Sequence, residues 1–387
     1  VQTNLAVSRL QGEHQFAISC NYGQEGFASA FQTPGGDVAI LPKDPRVDDH
    51  GEGIVPFHAD AFQSDAVLTH YDAWVFDPVK LRYPWVPWYP VDCEDVPVPI
   101  SSRIQHAVMR ITQTRHGVDR TQRCGLDAEY VPAAFDGAAY CRRDRDQARE
   151  HLGAKDKFLV ACVAANTGHP GSPSRKSYPQ IFEAFALFLK HTPDAVLYVH
   201  AHQHGQLDLG QLAQHYGIEE SIISALPYYL ATGAYTSEYM AGIYSAADVL
   251  LSPSMGEGFG VPIVEAQACG TPVITGDWTA MSEITRTGVA IPKEDAMPYP
   301  IVTYGTMYLP RPEAIRDALI EATGWSHDPD VVAAAVQEYE IENVVAENWR
   351  PALAMLENRL QRPVNAPGLN RAERRRRVKL ADKQAVA

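Results

Sequence analysis

No stretch of this 387-residue chain approaches the roughly 18 consecutive apolar residues that a membrane-crossing helix needs, and no run of the signal-peptide kind opens it. The six cysteines, at 20, 93, 124, 141, 162 and 269, have no paired spacing, so neither a zinc site nor a disulfide framework is expected. A reducing, cytoplasmic setting is the simplest expectation. Excess positive charge is also lacking: the formal balance is −14, which argues against a body built to clamp nucleic acid. No internal repeat and no long linker is found. An initiating Met and an opening strand with a glycine loop are absent too, and the first strand of a doubly wound domain is expected to be missing ahead of Val1.

What is present centres on residues 247–275. The apolar Val249–Leu251, bounded by Ser252-Pro253, reads as a strand buried on both faces of a parallel sheet. Gly256, Gly258 and Gly260 then mark a tight loop, Pro262 suits the first turn of a helix, and Gly270 suits its left-handed end. Such a loop aims backbone N–H groups and a helix N-terminus at the carboxyl end of a strand, an arrangement that cradles anions. Two carboxylates, Glu257 and Glu265, frame it with seven residues between them. Carboxylates repel phosphate but accept hydrogen bonds from sugar or ribose hydroxyls, so the pattern suits a nucleotide-sugar better than a bare nucleotide. The plainer reading makes Glu257 a helix cap and Glu265 a solvated helix residue.

The run from Glu257 through Gly-Phe-Gly-Val-Pro-Ile-Val to Glu265, followed by Ala-Gln-Ala-Cys-Gly-Thr-Pro-Val-Ile, resembles the E-x7-E signature of the family 4 retaining glycosyltransferases. That resemblance implies the GT-B fold: α/β, with two doubly wound, Rossmann-like domains facing across a cleft. It is strong from about residue 157 to 357 and weak before that. It implies that Glu265 holds the ribose diol and Glu257 the sugar hydroxyls, while Lys176, Arg175 and the amides of Gly258, Phe259, Gly260 and Val261 hold the diphosphate. Asn166 lies where the family's earlier Arg is replaced. Pro227 and Tyr228, at the end of a strand over 222–229, stand where the family places the base. His70, Asp72 and Asp92 are the implied acceptor-side residues. Ala133 and Ala134 replace a His-Gly of the family pattern, so any role attached to that His is missing here.

The expected layout is an acceptor-side domain over 1–150, a nucleotide-sugar domain over 151–335, a helical stretch over 336–362 crossing back to the first domain, and a tail over 363–387. Helices are expected over 312–322 and 331–357. Ser282-Glu283-Ile284 reads as a structural turn. The proline-rich 83–99 reads as extended, its aromatics either core or acceptor wall. From Asn370 to Ala387 seven basic residues face two acidic ones, a solvated tail or a contact for an acidic partner, nucleic acid or anionic lipid. The expected reaction moves a hexose-type sugar from a nucleoside diphosphate donor to an acceptor hydroxyl, with retention implied by the resemblance. No metal or other cofactor is expected, since amides and cations are available to the leaving group and the proposed cleft carries no Asp-x-Asp motif. The acceptor stays open among saccharide, lipid, protein and modified nucleic acid. Two other classes stay open: a nucleotide-sugar binding protein without turnover, and a GT-B phosphorylase.

Overall fold

The computed structural model describes residues 2–21, 26–44, 50–169, 171–301 and 305–361, so the expectations about the basic tail lie outside the described residues. The chain forms two α/β units. In the first, β1 (Ala17–Ser19), β2 (Ser29–Thr33) and β3 (Gly36–Leu41) make a small sheet in the order β1-β3-β2. Beside it β4 (Val67–His70), β5 (Trp85–Tyr89), β6 (Ile111–Thr112) and β7 (Glu129–Tyr130) pair in parallel and in chain order.

The second unit is a parallel sheet of β8 (Leu159–Val163), β9 (Val196–His200), β10 (Ile222–Ser224), β11 (Val249–Leu251), β12 (Val273–Gly276) and β13 (Gly288–Ile291), ordered β10-β9-β8-β11-β12-β13. Its strands are short apolar runs because both faces are covered. Along β8, Val160 and Cys162 pack with Tyr178, Phe182 and Phe185, whereas Leu159 and Ala161 pack with Tyr244, Ile263 and Val264. The helix Tyr178–Leu189 has Pro179 in its first turn and buries Tyr178, Ile181, Phe182, Phe185 and Phe188 on one stripe. The strand order runs outward one way from β8 and the other way from β11. The crevice beyond the carboxyl ends of these two strands is therefore the switch point at which open α/β sheets bind ligands.

Two expectations are corrected here. The stretch 331–357 is not one helix: it is broken into Pro329–Ala334, Ile341–Val344, a π-helical turn Val345–Trp349 and Arg350–Gln361. The break falls where the chain pairs with the first unit, Phe135 N–H donating to Tyr339 O and Ile341 N–H to Phe135 O. The strand over 222–229 stops at Ser224, because Pro227 opens a short helix, Pro227–Thr232. In addition, β14 (Ala296–Pro300) and β15 (Thr306–Pro310) form an antiparallel pair, and a two-stranded ribbon tolerates Pro298 and Pro300 on its unpaired edge.

Three of the four aromatics of 83–99 are core, Trp85, Trp88 and Tyr89 being buried, while Tyr83 is half-buried and donates to Asp60. Trp88 meets Trp349 edge-on at 4.9 Å, and around them Ala6, Leu10, Met109, Ile111, Leu353 and Leu356 close one apolar cluster. The last described helix thus completes the core of the first unit. No helix among the described residues is long and apolar enough to cross a membrane.

Candidate active site

The loop after β8 ends in Arg175-Lys176, and the loop after β11 carries Glu257, so the switch point places both groups in one crevice. Lys176 Nζ forms an ion pair with Glu257 Oε1, and Arg175 Nη1 lies 3.4 Å from Glu257 Oε2 and 2.7 Å from the carbonyl of Gly256. The loops are also stitched through backbone, Met255 N–H donating to Arg175 O at 2.8 Å. Glu257 N–H donates to Thr279 Oγ1 at 3.1 Å. Burial pushes the Glu257 carboxyl up, but Lys176 and then Arg175 outweigh it and hold it down at about 2.

The first unit reaches the same place. Asp92 Oδ2 stands 4.0 Å from Arg175 Nη1. Burial raises the carboxyls of Asp72 and Asp92, Arg175 pulls both back, and Asp72 and Glu257 push Asp92 further up. Asp72, Asp92, Arg175, Lys176 and Glu257 therefore form one coupled cluster of three carboxylates and two cations across the seam between the units. The close approach depends on glycine. A Cβ on Gly256 would lie 1.9 Å from Asp92 O, and one on Gly258 would lie 2.1 Å from Pro90 Cβ. Only Gly260, at φ 100°, is needed for its backbone angle. Two of the three loop glycines thus make room for the 90–92 segment of the first unit, a use the motif does not announce. The N–H groups of Gly258, Phe259, Gly260 and Val261 carry no hydrogen bond among the described residues, and they open the helix Val261–Ala268. The Phe259 side chain itself is core, its ring 5.5 Å from that of Tyr339.

Glu265 is 8% exposed, which rules out a solvated helix residue. Tyr244 Oη donates to its carboxylate at 2.9 Å and Tyr140 also faces it. Burial lifts this carboxyl to about 7 even though the two phenols pull it down. Neither tyrosine stood out in the sequence; both lie far from Glu265 along the chain and meet it only by folding.

Other expected residues are spent elsewhere. Asn166 is buried, its side-chain amide donating to His202 O and Leu207 O while its Oδ1 accepts from Leu207 N–H. It fastens the loop after β9 and has no hydrogen-bonding capacity of that amide left for a donor phosphate. His70 stacks on Trp88 at 4.1 Å, with Nδ1 at 3.0 Å from Thr3 Oγ1 and Nε2 at 3.2 Å from the Gln113 amide. Burial lowers its pKa to about 4, so it is a neutral, satisfied imidazole. Tyr228 is 72% exposed on the Pro227–Thr232 helix and joins a chain of rings with Tyr229 and Tyr235. Among the described residues no group of three or more His, Cys, Asp or Glu side chains is set to hold a metal ion.

Residues 163–299 match the family model described as Glycosyl transferases group 1. Over 181 residues the chain is 30% identical to a D-inositol 3-phosphate glycosyltransferase of Nocardia farcinica, 45% of this chain and 36% of that one. The chain spans between 10% and 36% of the length of the curated relatives it matches. Its fold resembles that of a sucrose-phosphate synthase from Thermosynechococcus elongatus, at TM-score 0.63 and 17% identity over 93% of this chain and 91% of that one. It also resembles Anabaena Alr3699/HepE in complex with UDP-glucose, at TM-score 0.54 and 15% identity over 78% and 82%. The fold is GT-B: two α/β units facing across a cleft, of which the second is doubly wound while the first runs its parallel sheet in chain order.

Proposed function

We propose that the protein is a glycosyltransferase that moves a hexose-type sugar from a nucleoside diphosphate donor to an acceptor hydroxyl with retention at the anomeric carbon. The observation that carries this reading is the convergence, at one switch point, of a cation pair, four unbonded loop N–H groups and Glu257 with Asp72 and Asp92 of the facing unit. Lys176, Arg175 and the loop N–H groups meet the diphosphate, which gains negative charge as the glycosidic bond breaks; fixed donors aimed there lower the barrier. Glu257 then exchanges part of its ion pairing for the sugar hydroxyls, and Glu265, held by Tyr244 and Tyr140, accepts from the ribose diol. Tyr228 sits near the base. Asp72 and Asp92 face the acceptor, and the departing phosphate takes its proton. The reaction on this reading needs no metal, the cation pair supplying the neutralising charge.

The match over 163–299 supports the transferase class, and a UDP-glucose complex of a fold relative supports trying uridine donors first. The test is turnover of UDP-, GDP- and ADP-hexoses with a panel of saccharide and inositol phosphate acceptors, the product anomer read by NMR. Release of nucleoside diphosphate from one donor series, with the anomer retained, is the expected result. Binding of a donor without any turnover or hydrolysis would leave a binding protein instead.

A further inference from the structure

Beyond the charge cluster the second unit meets the first at several further points, among them Lys293 paired with Glu94, Thr306 O accepting from Glu94 N–H at 2.8 Å, and a carboxylate at a helix start. Glu283, on the helical turn Met281–Ile284 after β12, accepts from Arg115 N–H at 3.1 Å and from His116 N–H at 3.2 Å. These are the first two donors of the first unit's helix Arg115–Arg123, whose third, Gly117 N–H, is taken at 2.9 Å by the hydroxyl of its cap Thr114. One carboxylate from across the seam thus completes the helix terminus, with charge-assisted bonds that also complement the helix dipole.

Both ends of this contact lead to the site. From the first unit, His116 Nε2–H donates to the carbonyl of Cys93 at 2.9 Å, and Cys93 follows Asp92. From the second, Trp278 Nε1 donates to Ser254 O at 2.9 Å, and Thr279 and Ala280 bracket Glu257 through Oγ1 and N–H. Thr279 holds an unfavourable φ of 55° to do so. The loop 254–257, the turn 278–283, the helix start 115–116 and the segment 92–93 therefore close a circuit, with Asp92 and Arg175 facing each other where it joins.

We propose that Glu283 is a positioning residue that sets Asp92 against the Arg175–Glu257 pair by fixing the helix start at 115–116. The inference rests on the glycosyltransferase reading for its kinetic part only. Removing the carboxylate releases the His116 tie to the 92–93 segment and leaves that segment to the Thr306 and Lys293 contacts of Glu94, while Lys176, Arg175 and Glu257 keep their bonds to one another within the second unit.

Two variants approach the contact from opposite sides. Glu283→Ala removes the acceptor. Arg115→Pro removes one donor without disturbing the helix, since proline fits a first helical position and Thr114 is already extended at φ −144° and ψ 154°. Arg115→Ala, which loses the same side chain but keeps the N–H, is its control. The expected result is faster hydrogen exchange at 92–95 and 116–117 in Glu283→Ala and in Arg115→Pro but not in Arg115→Ala. With it goes a loss of about tenfold in acceptor kcat/KM at unchanged donor affinity, and Glu283→Gln, which keeps one acceptor oxygen, recovers part of it. The proposal is overturned if Arg115→Pro exchanges and turns over like Arg115→Ala, or if Glu283→Ala weakens donor and acceptor equally. If the native protein turns over no donor, the functional reading fails, and the exchange comparison of the two Arg115 variants still decides the seam. Should Glu283→Ala not fold, that same pair decides alone.

Discussion

Glu257 and Glu265 share one motif and one degree of burial, yet their electrostatics are opposite. Glu257 has two cations within reach and is held at about 2, whereas Glu265 has two phenols and is lifted to about 7. Ion pairing outweighs desolvation in the first case and neutral hydrogen bonds fail to do so in the second. The consequences for pH follow by linkage. Because the Glu265 carboxyl is raised by folding, its contribution to stability is complete below the ordinary carboxylate range and is lost as pH climbs through about 7. Glu265→Gln should therefore flatten the fall in stability between about pH 4.5 and about pH 7, as measured by denaturant unfolding across that range. Glu257 contributes in the opposite sense: its share is present above the ordinary range and disappears as pH drops toward about 2. Lys176→Ala takes away the main partner of Glu257 and a cation for the leaving group, and should lower kcat by about a hundredfold or more, as loss of one such donor does elsewhere. Steady-state kinetics with whichever nucleotide hexose of the panel turns over checks this, and an unaltered kcat would remove Lys176 from the leaving-group role.

At the scale of elements, the strand, loop and helix over 249–268 were legible because each piece carries its own signal: a short apolar run, a proline in the first turn, a glycine after the last. The purpose of the glycines was not. Gly256 and Gly258 owe their identity to a segment more than 160 residues earlier in the chain, which no local pattern reveals. Gly256→Ala should cost about 1–3 kcal/mol by overpacking, because the atom met is backbone and cannot swing aside. Gly153→Ala has open space around it and meets only the strain of φ 67° at a helix end, so about 1 kcal/mol is expected. Thermal unfolding of the two variants should rank them in that order. The helix over 331–357 failed for a related reason: its periodicity is helical, but pairing with Phe135 interrupts it where the chain passes between the units.

In the whole molecule, the two units are joined both by the seam and by the return of the last helix to the first unit's core. Trp349, 4% exposed and edge-on to Trp88, is the pivot of that return. Trp349→Ala should cost about 3–5 kcal/mol, read as a lower midpoint in denaturant, and should loosen protection at Ala6, Leu10 and Met109 in hydrogen exchange before it touches β8 and β9. Unchanged protection at those three positions would show that the return helix is not part of that core.

By itself the sequence determined the α/β class, the buried parallel strands of the second unit, the glycine loop with its two acids and the cation pair, because apolar period, turn chemistry and motif spacing are local properties. Only the tertiary structure decided which groups meet. It joined Glu257 to Lys176 and Arg175, seated Glu265 between Tyr244 and Tyr140, turned His70 and Asn166 to internal bonds, and carried Asp92 and Glu283 across the seam. The physical reason is distance along the chain: a charge or a carbonyl acts through space at a few ångströms, and the order of residues does not record which distant segments folding brings that close.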